Sequence, residues 1–174
     1  SIKIDGRELQ GNEYLRTDKA LMISKVPEKF DLEIEVLIHP DKNTALEGLY
    51  HSGRLLCTQC EAEGFRRITY YPDRPDVMAI FTVSIEAEKA DWPVMLPNGN
   101  LENQGQLENG RHWVSWHDPH PKPSYLFALV AGDLHIQKDS FVTTSGRKVA
   151  LEIYVDVENS HKCDHALMSL KQAM

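Results

Sequence analysis

The sequence predicts a predominantly antiparallel all-β domain, either sandwich-like, barrel-like or an open curved sheet, followed by a C-terminal helix. Three observations support this prediction. Apolar residues alternate with polar ones at period two in several segments, and turn signals separate those segments at short spacing. A repeat of three to four residues appears only near the end of the chain. At 174 residues, the chain is long enough to bury the core of one domain.

Two long segments carry the strand pattern most clearly. The first spans residues 31–39, ends at Pro40, and places four apolar residues on one face: Leu32, Ile34, Val36 and Ile38. The second spans residues 77–87 and alternates in the same way, through Val77, Ala79, Phe81, Val83, Ile85 and Ala87. Because β-branched and aromatic side chains favour extended backbone, we predict two long strands, each with one buried face.

Short turn signals separate the later strands. Asn98-Gly99 and Asn109-Gly110 are typical of two-residue hairpins, because both central residues of such a turn adopt positive φ. Ser145-Gly146 separates residues 140–143 from residues 149–155, where apolar residues again alternate. We therefore predict turns between adjacent strands at all three positions.

A single helix is predicted near the C-terminal end. Asn159 or Ser160 is the expected N-cap, and apolar residues then recur at helical spacing, namely Cys163, Ala166, Leu167, Leu170 and Met174. No C-cap signal is present, so we expect the helix to continue into, or dock against, further sequence. The chain is accordingly divided into a β domain over residues 1–155 and a helix over residues 156–174.

Composition and charge indicate which binding partners and which cellular compartment to expect. The net charge is −7 and the basic residues are dispersed, so we expect no nucleic-acid partner. The apolar runs are too short to cross a bilayer, and no secretory signal pattern opens the chain, so we expect no membrane partner. Three cysteines are too few, and odd in number, for a disulfide framework. A reducing compartment, the cytoplasm, is the expected location.

Gln59 and Glu61 are the candidate binding residues. In an extended backbone, residues two apart face the same side, so this amide and carboxylate would face one space. A free peptide N-terminus is mostly an ammonium at neutral pH and offers three donors to such a pair. This pairing suits the capture of a charged amine, although isolated surface Gln and Glu residues are usually only solvated.

Several motifs of this chain resemble the bacterial form of the zinc aminopeptidase N family. They are Thr58-Gln59-Cys60-Glu61 within residues 48–76, together with Tyr70-Tyr71-Pro72-Asp73-Arg74-Pro75-Asp76, Leu96-Pro97-Asn98-Gly99-Asn100, Asn109-Gly110-Arg111-His112-Trp113 and residues 123–133. The resemblance covers nearly the whole chain and implies most of a saddle-like N-terminal β domain, whose first strands precede Ser1. It also implies that Gln59 and Glu61 bind the substrate α-amino group, and it leaves Glu63 a structural residue.

The same resemblance implies a parent enzyme that removes N-terminal amino acids from peptides. That family carries its zinc on a His-Glu-x-x-His helix and uses a Gly-x-Met-Glu-Asn loop, and this sequence contains neither. We therefore expect no catalytic residue and no zinc in this segment, and we expect it to be inactive alone. Its expected partners are peptide substrates and the catalytic domain of the same polypeptide. The alternative is a non-catalytic β-rich module that binds a peptide or another protein.

Two spacings could instead indicate a metal or redox site. Cys57 and Cys60 have Cys-x-x-Cys spacing, but zinc needs two further ligands and a redox pair usually opens a helix. His161 and His165 are four apart, which would place both on one face of the predicted helix. Lys162 stands where a metalloprotease helix has its general base, so we expect no metal there.

Overall fold

The structure, a computed structural model, describes residues 1–174 and confirms an all-β domain with one C-terminal helix. All strand pairs are antiparallel. The N-terminal part holds a three-stranded sheet of order β2-β1-β5 and a hairpin of β3 and β4. These strands are β1 (Ile2–Ile4), β2 (Arg7–Glu8), β3 (Tyr14–Arg16), β4 (Leu21–Ile23) and β5 (Leu32–Ile34).

Two larger sheets form the centre of the domain. The first has the order β6-β7-β12-β9 and the second the order β10-β11-β8. Their strands are β6 (Gly48–Ser52), β7 (Leu55–Gln59), β8 (Ala79–Glu88), β9 (Val94–Pro97), β10 (Asn100–Gln106), β11 (Arg111–Lys122) and β12 (Leu129–Gly132). Met95 and Ala131 of the first sheet are buried against Val114 of the second. The centre is therefore sandwich-like.

A long hairpin and the helix complete the chain. The hairpin consists of β13 (Leu134–Val142) and β14 (Lys148–Asp156), and α1 (Cys163–Ala173) packs against it. Cys163 and Leu167 are the buried residues of α1. No helix of the chain has the length and apolar character needed to cross a membrane. Short 3₁₀ segments lie at Pro40–Lys42, Phe65–Arg67, Glu108–Gly110, Ser124–Leu126 and Val157–Lys162.

The predicted helix is confirmed, but its predicted N-cap is wrong. Neither Asn159 nor Ser160 caps α1, because both lie inside the 3₁₀ segment that precedes it. Asp156 caps that segment instead, and its carboxylate accepts a hydrogen bond from the Glu158 amide at 3.5 Å. An oxygen acceptor at a helix start satisfies an otherwise unpaired N–H.

The prediction for residues 31–39 is only partly correct. The strand stops at Ile34, and Leu37 is 84% exposed. Its partner β1 offers only three residues to the ladder, although the Glu35 amide still bonds the Ser1 carbonyl at 2.9 Å. A strand extends only as far as its backbone groups find a partner. The second long prediction is confirmed, since β8 alternates partly buried and exposed residues over its full length.

Two of the three predicted turns join strands that pair with each other. Asn109 and Gly110 both have positive φ, at 58° and 78°, and join the paired strands β10 and β11. Gly146 has φ of 83° and joins β13 to β14.

The turn at Asn98-Gly99 does not make a hairpin. It links β9 of one central sheet to β10 of the other, and the two strands do not pair. The Asn98 side chain explains this crossing, because it donates to the Leu126 carbonyl at 3.1 Å and accepts from the Ala128 amide at 2.6 Å. Gly99 meanwhile packs so closely on His117 that an added Cβ would lie 2.3 Å from its carbonyl oxygen.

Candidate functional site

Gln59 and Glu61 lie where β7 ends and a tight turn begins. Gln59 is the last residue of β7 and pairs with Gly48 of β6. The turn over residues 61–64 is closed by a hydrogen bond from the Gly64 amide to the Cys60 carbonyl at 2.8 Å. Cys60 is only 3% exposed, whereas Gln59 and Glu61 are exposed. The buried cysteine therefore anchors the turn while its two neighbours contact solvent.

The backbone is not extended through Glu61, which corrects the geometry predicted for this pair. The Gln59 side-chain amide donates to the Glu61 backbone carbonyl at 3.0 Å. This contact leaves the Gln59 side-chain oxygen free, and the Glu61 carboxylate has no hydrogen bond or ion pair within the chain. Hydrogen-bond acceptors of both residues are thus available to a ligand on the surface of one turn.

Gly64 holds the turn against the end of β7. A Cβ added at Gly64 would lie 2.2 Å from the Gln59 carbonyl oxygen and 3.0 Å from Cys60 Cα. The torsions of Gly64, φ −82° and ψ −20°, are open to any residue. Glycine is therefore required here by close backbone approach and not by backbone conformation.

A buried carboxylate anchors the segment that follows the turn. The Asp73 side chain is 2% exposed. Its Oδ2 accepts from the Arg66 amide at 3.0 Å and from Arg66 Nε at 3.2 Å, and its Oδ1 accepts from Ser124 Oγ at 2.5 Å. A buried carboxylate is tolerated only when charged or hydrogen-bonding partners surround it. Asp73 thereby ties the 3₁₀ segment after the turn to the distant segment that contains Ser124.

An aromatic cluster supports the same segment from the core side. Phe65, which is 7% exposed, packs edge-to-face against Tyr71 and Phe127 with ring centroids 5.1 and 5.2 Å apart. Phe81 of β8 contacts it at 6.1 Å. Burial, and then the nearby Asp73 charge, raises the pKa of the Tyr71 hydroxyl. The residue that follows the turn therefore packs into an aromatic cluster, which supports the turn.

A groove of about 1030 Å³ borders this anchored segment. Its lining includes Glu63, Arg66, Tyr70 and Asp73 but neither Gln59 nor Glu61. The two candidate binding residues are exposed and lie outside that groove.

Cys57 and Cys60 do not have the environment of a reactive pair. All three cysteines are free thiols. Burial, and then the charge of Asp73, raises the pKa of the Cys60 thiol to about 11. Redox-active and metal-binding cysteines need the opposite shift, because the thiolate is the species that reacts. The environment of Cys60 disfavours the redox or metal interpretation.

The residues of this chain do not fit a zinc ion. The chain has no group of three or more His, Cys, Asp or Glu side chains arranged to hold a metal. His161 lies in the 3₁₀ segment and His165 in α1, so the two do not share one α-helical face as their spacing predicted. Both are exposed.

Thiol labelling should separate the three cysteines. With iodoacetamide at pH 8, we expect the native chain to react at partly exposed Cys57, while Cys60 and Cys163, 3% and 2% exposed, stay unmodified. Only about one in a thousand Cys60 side chains is a thiolate at that pH, given the raised pKa. Peptide mass spectrometry reads each site, and guanidinium should expose all three. Labelling of Cys60 ahead of Cys57 would contradict the buried thiol.

Comparison with known proteins gives the family. The peptidase M1 N-terminal domain family matches residues 1–126. The chain belongs to this family. The resemblance to bacterial aminopeptidase N is also confirmed. This M1 N-terminal domain is 62% identical over 155 residues to aminopeptidase N of Escherichia coli (strain K12), covering 89% of the chain and 18% of that protein. It is 54% identical over its whole length to aminopeptidase N of Caulobacter vibrioides, of which it covers 20%.

Solved structures agree with this assignment. Legionella pneumophila aminopeptidase A, solved in complex with aspartic acid, superposes with a TM-score of 0.93 at 41% identity, covering 99% of this chain and 20% of that one. An M1 zinc metallopeptidase from Deinococcus radiodurans superposes with a TM-score of 0.61 at 18% identity, covering 87% of this chain and 36% of that one, and shares the fold. The M1 N-terminal domain thus spans about a fifth of the length of the curated relatives it matches.

Sequence reasoning did not single out Gly64, Asp73 or Ser124. Asp73 enters there only as part of a resembling motif, and a lone aspartate is normally solvated. Its Oδ1 accepts a hydrogen bond from Ser124, which is 51 residues away in sequence. No local spacing signals such a contact.

Proposed function

We propose that this M1 N-terminal domain is part of a zinc aminopeptidase that removes N-terminal amino acids from peptides. The observation that carries the proposal is its 51–62% identity to three bacterial proteins named aminopeptidase N. The chain spans only 18–20% of their length, so we assign the peptidase chemistry to the remainder of the polypeptide. Residues 1–155 then form the β domain, and residues 156–174 lead toward the catalytic domain, its partner.

Gln59 and Glu61 are proposed to bind the α-amino group of the peptide substrate. The free carboxylate of Glu61 and the free amide oxygen of Gln59 support this role, since an ammonium needs acceptors and a negative charge. Their exposure leaves room for the catalytic domain to enclose the site. Anchoring the amine would place only the first peptide bond at the reaction centre, which explains why such an enzyme trims from the end.

The proposal also covers the zinc ion of the intact protein and its cellular compartment. The Deinococcus radiodurans neighbour is described as a zinc metallopeptidase. We place the zinc ligands of the intact protein outside these residues, because this chain offers no ligand cluster. Three free thiols favour a reducing compartment, and we propose the cytoplasm.

A paired substrate test addresses the function. The complete polypeptide is expected to release the first residue of trialanine and to leave N-acetyl-trialanine uncut, because acetylation removes the ammonium. The 174-residue chain alone should release no amino acid from either peptide. Amino-acid analysis of the products by chromatography gives the answer. A folded complete polypeptide that cleaves neither peptide would instead favour the alternative, a binding module without catalysis.

A further inference from the structure

We propose that Asp73 is a positioning residue for the amine site. Without touching the substrate, it holds in place the end of β7 and the turn that follows, where Gln59 and Glu61 lie. This inference rests on the proposed function of those two residues. Asp73 acts through its hydrogen bonds to Arg66 and Ser124.

The burial of the Asp73 carboxylate supports this role. With 2% exposure, it is more deeply buried than the Asp118 carboxylate, which is 11% exposed and pairs with nearby Lys122. The partners of Asp73 come from two separate parts of the chain, since Ser124 is 51 residues away. Such a carboxylate joins segments that the strand ladders do not join.

A short series of contacts connects Asp73 to the turn. The Arg66 amide, which donates to Asp73 at 3.0 Å, belongs to the second residue after Gly64. Gly64 in turn packs on the Gln59 carbonyl, and its amide bonds the Cys60 carbonyl at 2.8 Å. A shift of Arg66 would therefore pass through Phe65 and Gly64 to the residues that present Gln59 and Glu61. Burial, and then the nearby Asp73 charge, raises the pKa of the Cys60 thiol, so Asp73 lies close enough to the turn to act on it.

Asp73 differs in burial from the ion pairs around it. Arg66 and Glu63 are 48% and 71% exposed, and Arg74 and Asp76 are 67% and 60% exposed. Exposed pairs of this kind contribute little, because water screens them and the side chains lose entropy. Asp73 is the buried acceptor of the group, and a charge-assisted hydrogen bond gains most where water is excluded.

The experiment uses the complete polypeptide and the Asp73→Asn variant. Asparagine keeps the shape of the side chain and removes the charge that faces Arg66. We expect kcat/KM for trialanine to fall by about five- to thirtyfold, measured at a temperature where thermal melts show the variant to be fully folded. Asp76→Asn is the matched control: it changes an exposed acid three residues away and should leave kcat/KM within about twofold.

A double-mutant cycle distinguishes positioning from a general loss of structure. Once Glu61→Ala has removed the amine anchor, Asp73→Asn should lower kcat/KM by no more than about twofold further. Ser124→Ala, which removes only the Oγ donor, serves as a second variant and should be non-additive in the same way. If Asp73→Asn does not fold, Ser124→Ala takes its place in the double-mutant cycle.

The outcomes separate the two levels of the proposal. An unchanged kcat/KM for Glu61→Ala overturns the proposed amine site and this inference with it. Suppose instead that Glu61→Ala lowers kcat/KM. If Asp73→Asn and Ser124→Ala then both have no effect, or effects that add fully to that of Glu61→Ala, the positioning role alone is overturned. Non-additive losses support it.

Discussion

Glu61→Ala in the complete polypeptide is expected to lower kcat/KM for peptides with a free α-amino group by about ten- to a hundredfold or more. The variant removes the carboxylate proposed to bind the substrate ammonium, and a charge-assisted hydrogen bond of this kind contributes about 1.5–3 kcal/mol. Gln59 would remain as a neutral acceptor and could not replace the charge. Initial rates at substrate concentrations well below KM measure the ratio directly.

Glu63→Ala is the matched control for this variant. Glu63 is an acid two residues farther along, is 71% exposed, and pairs only with Arg66 at 3.3 Å. Because exposed pairs contribute little, kcat/KM should stay within about twofold. Glu61→Gln, which keeps the shape and loses the charge, should fall between the parent and Glu61→Ala. If Glu61→Ala retained the parent kcat/KM, Glu61 would have no role in amine binding.

Gly64→Ala is expected to destabilise the 174-residue chain by about 1–3 kcal/mol, as other overpacked sites do. The added methyl group would lie 2.2 Å from the Gln59 carbonyl oxygen, so the backbone of the turn must move. Because Gln59 is one of the two residues proposed to bind the amine, kcat/KM of the complete polypeptide should also fall. Urea denaturation of the 174-residue chain and initial rates of the complete polypeptide are the two measurements.

Gly11→Ala supplies the control for the glycine variant. Nothing lies within 4 Å of a Cβ added at Gly11, and its backbone needs no positive φ. The change should therefore alter the free energy of unfolding by no more than about 0.5 kcal/mol. Equal urea midpoints for Gly64→Ala and Gly11→Ala would show that the turn tolerates a side chain, contrary to the structure.

The two long strand predictions show what hydrophobic alternation can and cannot reveal. Residues 77–87 were predicted well because β8 finds a long partner in β11, from Ala79 to Glu88. Residues 31–39 carry the same pattern, yet the strand ends at Ile34, since β1 is three residues long. Alternation identifies the face that each residue would take, but the length of a strand depends on the neighbour it pairs with.

The Asn-Gly turns show the same division. Asn109-Gly110 and Asn98-Gly99 are the same local signal, and both glycines adopt positive φ. Only the first closes a hairpin, because the Asn98 side chain is bonded to residues 126 and 128 of another part of the chain. Turn torsions follow from adjacent residues, whereas the choice of strand partner follows from distant contacts.

The sequence by itself determined the all-β class, the C-terminal helix, the family resemblance and the choice of Gln59 and Glu61 as candidate binding residues. These features depend on period, turn residues and motifs, which are properties of neighbouring residues. Only the tertiary structure revealed the turn after Gln59, the contact that excludes a side chain from Gly64, and the burial of Asp73 beside Ser124. Close backbone approach and side-chain burial arise where separate segments of the chain pack together. The local sequence of one segment does not show which distant segment it will contact.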